Sequence, residues 1–373
     1  MFDEKFIEGY LREPADLTDW VLFKYRNNFR DNKYRDDGSL LCSARDWIHV
    51  AVRYINNNPL PRRDAESMEV LAYIMAVDNI VEAVSQMHLA IFPGKKPVFW
   101  DESDCFPDNF FQMNDFMYFK RLRACFGAHP VDIGDKKRGE DLRFASWSGD
   151  FESSGDFSVL LYSEIVGEET ISLKIDFRQL HKFAKKYFSY LVELKSELER
   201  QYKEYIKSKR NIVFDCAGDP LTMLNILWRE NKERMDNSYY ESTIDQLKLI
   251  FETPISSEEN AALVDRYKTA LLASIEEIRS NVQNMNFDDL KSEALLTSAP
   301  KSMPAGWGYP VGKLVSAVFD QSGKAFLSNM NEREIRDLFE GRFAFDYSSL
   351  AELYVLVNSA LYSMVQDEQS AKN

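Results

Sequence analysis

The feature that most limits what this chain can fold into is an apolar stripe in its middle. Between Arg178 and Arg210, Leu180, Phe183, Tyr187, Leu191, Leu194, Leu198, Tyr202 and Tyr205 recur every three or four residues, with lysine and glutamate filling most positions between. That period is helical, and at the usual rise it predicts a rod about 45 Å long. Such a rod must bury its stripe against other helices or against a second subunit. Lys203, Lys207, Lys209 and Arg210 gather at its C-terminal end, where they complement the helix dipole.

The flanking sequence supplies further helices. Leu41 to Ile55 is apolar at helical spacing and is stopped by Asn-Asn-Asn-Pro. Asp64 is placed to cap a following helix that carries Val70, Ile74, Val77, Val81, Val84 and His88 on one face. A third helix is expected from Asn114, with Gly127 closing it in a left-handed cap before Pro130. The period then changes. Val159 to Tyr162 is densely apolar, Gly167-Glu168-Glu169 makes a turn, and Ile171, Leu173, Ile175 and Phe177 alternate with polar residues. This is a hairpin pattern, and Arg143 to Ser148 offers a third strand. Later, Asp219-Pro220 opens a helix, and Ser256 with Glu259 and Ser349 with Glu352 have capping-box spacing.

The expected fold is therefore mainly α. It is a multi-helix bundle with a small antiparallel hairpin or three-stranded sheet inserted in the middle. The division read from the sequence is a helical block over 1–135, the sheet over 136–177, and a helical region over 178–373 led by the long amphipathic helix. Composition agrees: 15 Gly and 12 Pro in 373 residues are too few turn-formers for many short strands.

The net charge of −14 argues against a surface that coats nucleic acid, yet leaves room for a local basic cleft such as the one Lys120, Arg121 and Arg123 could form. No window has the roughly 20 apolar residues of a membrane span, and the acidic start lacks an apolar signal region. Cys42, Cys105, Cys125 and Cys216 are far apart in sequence. Reduced thiols in a cytoplasmic protein are the simplest reading.

Several motifs fail on chemistry. Gly306 to Lys313 resembles a phosphate loop, but its glycine spacing is one residue too long and Leu314 stands where a magnesium-holding hydroxyl is needed. Asp101, Glu102, Asp104 and Asp108 lack the glycine and terminal glutamate of a calcium loop, so a solvated acidic loop is expected. Asp78 and Glu82 lie one turn apart on an apolar helix and fit either acid–base work or a structural partner. His88 reads as a hydrogen-bonded core residue. His49 and His181 have no histidine or cysteine at ligand spacing, so no metal or other cofactor is expected.

One segment carries chemistry. Arg123 and His129 flank Ala-Cys-Phe-Gly-Ala. With the helix broken near Gly127, an imidazole and a guanidinium could share a pocket. The histidine could move a proton at a ribose hydroxyl or a leaving oxygen, and the arginine could hold the phosphate. The segment resembles the Arg-x4-6-His motif of the HEPN superfamily, a group of helical-bundle proteins. That resemblance implies a metal-independent endoribonuclease of the defence or toxin type, commonly a homodimer, with Arg123 and His129 catalytic and RNA in a local basic cleft. The same residues also fit a structural role, with Arg123 paired to a carboxylate and His129 capping the helix end. Two other functions stay open. One is a non-catalytic scaffold that forms a homodimer or docks a partner on the 180–206 stripe. The other is a small-molecule site between helices near Trp147 or Trp307.

Overall fold

The computed structural model describes residues 1–58, 60, 66–97, 99–107, 109–128, 143–147, 157–236, 238–297, 299–319 and 329–371. The fold is mainly α, as expected: 64% of it is helical, in 13 helices, with a small three-stranded antiparallel sheet in mid-chain. Two compact units are present, Met1–Glu204 and Tyr205–Asn373.

The first unit opens with α1 (Glu4–Glu8), capped by Asp3, and α2 (Leu17–Tyr25), which buries Leu17, Trp20, Val21 and Tyr25. A small hairpin follows, β1 (Asn28–Arg30) with β2 (Lys33–Arg35). Its turn residues Asp31 and Asn32 have φ of +54° and +61°, the paired left-handed positions that a two-residue hairpin loop demands. This hairpin was not foreseen. The centre of the unit is α3 (Asp37–Asn57) packed on α4 (Ser67–Ile91). The expected stripe of α4, Val70, Ile74, Val77, Val81, Val84 and His88, is buried throughout. The cap of α4 is Glu66, whose backbone N–H donates to the Glu69 carboxylate at 3.3 Å. Asp64, the cap expected from sequence, lies outside the described residues.

Asn114 caps α5 (Asp115–Arg123) by accepting from the Met117 N–H at 2.8 Å. The chain then winds into a π-type turn over Ala124–Ala128. Here the expectation for Gly127 is corrected. It is not a left-handed cap but part of the wide turn, and a Cβ at Gly127 would collide with the end of the Leu71 side chain. Close approach to α4 is what that position demands. In the sheet, β3 (Arg143–Trp147), β4 (Phe157–Ser163) and β5 (Ile171–Ile175) pair in sequence order. One face buries Val159, Leu161, Leu173 and Ile175.

The long helix is α6 (Phe177–Asn211). Its stripe from Leu180 to Leu198 is buried by the chain itself. Phe183 meets Phe106 and Phe119, Tyr187 meets Phe99, and Phe177 meets Tyr73. Of the two covers foreseen for the stripe, the chain itself supplies this stretch, with helices and the 92–114 connection sharing it.

The second unit contains α7 (Pro220–Arg234), α8 (Glu241–Glu252), α9 (Glu258–Gln283), α10 (Ala294–Thr297), α11 (Gly308–Phe319), α12 (Asn329–Phe339) and α13 (Leu350–Ser370). Asp219 caps α7 as expected, accepting from Leu221 and Thr222. Helices α9 and α13 form the central pair. Their caps differ from the simple boxes read in the sequence. Ser257, not Ser256, is the N-cap of α9. Ser256 instead gives its N–H and hydroxyl to Glu352 at 2.6 and 2.7 Å. Ser349 does cap α13, accepting from the Glu352 N–H at 3.1 Å, while the Glu352 carboxylate turns to Ser348 and Ser256. A fully buried carboxylate thus ties the starts of two helices together.

No helix among the described residues is long and apolar enough to cross a membrane.

Candidate functional site

Two acids on α4 face two bases on α5. Asp78 and Glu82 are one turn apart, and Lys120 and Arg123 are nearly so, which lets the pairs align across the helix contact. Lys120 Nζ lies 2.7 Å from Glu82 Oε2, and Arg123 Nη1 lies 2.7 Å from Asp78 Oδ2. Burial works against the charge on Glu82, but hydrogen bonds from Lys120 and Gln86 outweigh it and hold the carboxyl below its ordinary value. The basic cluster expected here is therefore two-thirds occupied or more: Arg121, its third member, stacks its guanidinium 5.3 Å from the Phe111 ring.

The Arg123–Asp78 pair is unequal in exposure. The Asp78 side chain is 8% exposed and that of Arg123 is 28% exposed. Asp78 Oδ1 and Arg123 Nε are sealed from solvent and have no hydrogen-bond partner. The pair is thus anchored on the α4 side and open at the guanidinium. The expectation that Arg123 pairs with a carboxylate is met, and Asp78 is that carboxylate.

Beyond Arg123 the π-type turn buries Cys125 and Phe126. Phe126 meets Trp147 of β3 edge-on at 5.7 Å, and Trp147 meets Phe157 at 5.4 Å. The sheet is packed against the turn that leaves Arg123. Burial pushes the Cys125 thiol up to about 11, so it is not a nucleophile at neutral pH. His129 is the next residue after the turn and lies outside the described residues.

The remaining candidates resolve mostly into structure. His88 is buried, with Nδ1 2.8 Å from the Tyr190 hydroxyl and Nε2 2.8 Å from the Lys95 carbonyl. Burial lowers its pKa. This is the core histidine expected. His181 Nδ1 lies 3.0 Å from the Tyr73 hydroxyl. In the acidic loop, Asp104 Oδ1 takes Lys186 at 2.7 Å and Lys186 also reaches Glu102; Asp108 lies outside the described residues. Gly312 sits inside α11, so residues 306–313 form no glycine-rich phosphate cradle. Trp307 does border a cleft of about 590 Å³ in the second unit, with Val311, Val315, Phe319, Tyr354 and Tyr362 among its walls.

No protein-family model matches the chain, and no curated protein or solved structure is detectably similar to it.

Two groups were missed from sequence. Asp78 was noticed, but its partner was not, because the pairing of residues 45 apart in sequence across two helices leaves no local trace. His49 was set aside for want of nearby ligands, and α1 brings it Glu4 and Glu8 at 3.4 Å each. The only available signal was the one-turn spacing of Glu4 and Glu8.

Proposed function

We propose that this protein is a HEPN-like, metal-independent endoribonuclease of the defence or toxin type, with Arg123 and His129 as its catalytic pair. The observation that carries the reading is the setting of Arg123. Its guanidinium is steadied by Asp78 at 2.7 Å, keeps an open side, and stands one wide turn before His129. π-type turns inside helices are rare and are frequent at functional sites.

The chemistry assigned follows from the side chains. Arg123 binds the scissile phosphate and stabilises charge as it builds. His129 exchanges the proton at the 2′-hydroxyl or the leaving oxygen. Asp78 does not touch substrate; it limits the rotamers of Arg123, so less freedom is lost on binding. RNA would approach a local basic cleft, and two copies would face one another as the resemblance implies.

The competing scaffold reading docks a partner on the 180–206 stripe. Between Leu180 and Leu198 that stripe is already covered by the chain itself, which favours the enzyme.

The test is cleavage of a mixed-sequence RNA with EDTA present. The wild type should cleave. Arg123→Ala and His129→Ala should each lose about 100-fold or more in rate while circular dichroism stays unchanged. Undiminished cleavage by His129→Ala would sink the assignment.

A further inference from the structure

We propose that His49 of α3, together with Glu4 and Glu8 of α1, forms a binding site for a first-row transition-metal dication of the Zn²⁺ type. The three donor atoms, one imidazole nitrogen and two carboxylate oxygens, all lie within 4.8 Å of one another.

The distances favour an ion over a salt bridge. His49 Nε2 stands 3.4 Å from an oxygen of Glu4 and 3.4 Å from an oxygen of Glu8. A charged imidazolium donating to a carboxylate closes to about 2.7–2.9 Å. Donors placed about 2.0–2.1 Å from a tetrahedral Zn²⁺ are instead separated by about 3.3 Å, the edge of the tetrahedron. The two imidazole–carboxylate spacings match that edge, and the third donor pair lies within 4.8 Å.

The state of the nitrogen is a second and independent observation. Nε2 is sealed from solvent and has no hydrogen-bond partner, although the ring as a whole is 29% exposed. A buried polar atom left unpaired is costly, and an ion is one of the few things that removes the cost. The two carboxylates each lie 3.4 Å from the nitrogen. Those carboxylates are like charges one turn apart on a helix of five residues, an arrangement that repels without a cation between them.

The other cluster of possible ligands shows the contrast. Asp115 accepts backbone N–H groups from Asp104, Cys105 and Phe106, and Asp104 is taken by Lys186. Burial and its acidic neighbours push the Cys105 thiol up to about 12. Those groups are satisfied without an ion. At His49 the imidazole Nε2 is not. Arg53 Nε is 3.4 Å from the same Glu4 oxygen, but its side chain is 61% exposed, so the contact is screened by solvent.

One nitrogen and two oxygens suit Zn²⁺ or its neighbours, and a water completes four-coordination. Ca²⁺ would need at least six oxygens. The ion would fasten α1 to α3. The site includes neither Arg123 nor Asp78, so it stands or falls apart from the ribonuclease reading.

The full chain, stripped with EDTA and dialysed, is titrated with Zn²⁺ by calorimetry beside His49→Ala and Glu8→Gln. Glu8 is half exposed, so Glu8→Gln keeps the fold if His49→Ala does not. The wild type should bind one equivalent more than either variant, or bind it more tightly by at least the roughly 10–100-fold that loss of a ligand's hydrogen-bond partner costs. Co²⁺ in place of Zn²⁺ should give the visible bands of a tetrahedral site in the wild type alone. Equal uptake and affinity in all three proteins overturns the proposal. So does a wild type that takes up no Zn²⁺.

Discussion

Asp78 is the residue on which the candidate site turns. It is nearly sealed, it holds one nitrogen of Arg123, and its other oxygen has no partner. Asp78→Ala should leave a half-buried guanidinium without its counter-charge. The expected loss is about 1–3 kcal/mol in a urea melt, less than for a fully buried pair because Arg123 keeps its open side. If cleavage depends on the steadied arginine, the same variant should lower kcat with RNA more than its effect on folding explains. A second prediction concerns His88. Its pKa in the fold lies below the ordinary 6.5, chiefly through burial. The unfolded chain therefore binds the proton first as pH drops. Stability from this group is whole above about pH 6.5 and is lost as pH falls through the lower folded value. His181 is shifted in the same direction, again by burial first. Urea melts at pH 7.5 and 5.5 should show wild type losing more stability than His88→Gln; equal slopes would show that His88 does not couple folding to protons here. At this scale the sequence was partly legible. The apolar stripe around His88 announced a core position, and Arg123 was open to a carboxylate partner. Which carboxylate was not legible, because that depends on how α4 and α5 align.

Elements were easier to read than their ends. The stripe of α6 was read over Arg178–Arg210 and the helix spans Phe177–Asn211, since apolar residues recurring every three or four positions from Leu180 to Tyr205 leave no competing pattern. The hairpin of β4 and β5 was legible from a dense apolar run before Gly167 and alternation of period two after it. The β1–β2 hairpin was not, because three-residue strands are too short to show a period. Caps were read as local pairs and failed where a distant group competed. Glu352 is the instance: its spacing from Ser349 looked like a closed box, yet its carboxylate reaches Ser256, 96 residues away in sequence. Burial opposes its charge, but hydrogen bonds from Ser348 and Ser256 prevail and lower its pKa. Glu352→Ala should cost about 3 kcal/mol or more, since it strips a buried cluster of donors of their acceptor. The stabilisation from its charge is present above about pH 4.5, the ordinary glutamate range, and is lost as pH falls through the lower folded value. Acid melts of wild type against Glu352→Gln measure it.

At the scale of the molecule, the two compact units contain these devices separately: Asp78 and His88 in Met1–Glu204, Glu352 in Tyr205–Asn373. Scanning calorimetry should therefore resolve two transitions. Glu352→Gln should lower one and His88→Gln the other; a single transition moved by both variants would mean the units unfold together. The net charge of −14 led to the expectation that any basic patch would be local. It could not reveal that Lys120 and Arg123 are each matched to an acid on the neighbouring helix, because net charge has no geometry.

The π-type turn at Ala124–Ala128 has a consequence for how chains of this kind can vary in length. A wide turn stores slack in a helix: losing one residue there lets α5 continue in regular winding without a break in its hydrogen bonds. Everything past the deletion then keeps its facing, because the wide turn gives up the one residue that regular winding does not need. Length changes at this point would alter how many residues separate Arg123 from His129, with little effect on the packing of α4 and α5.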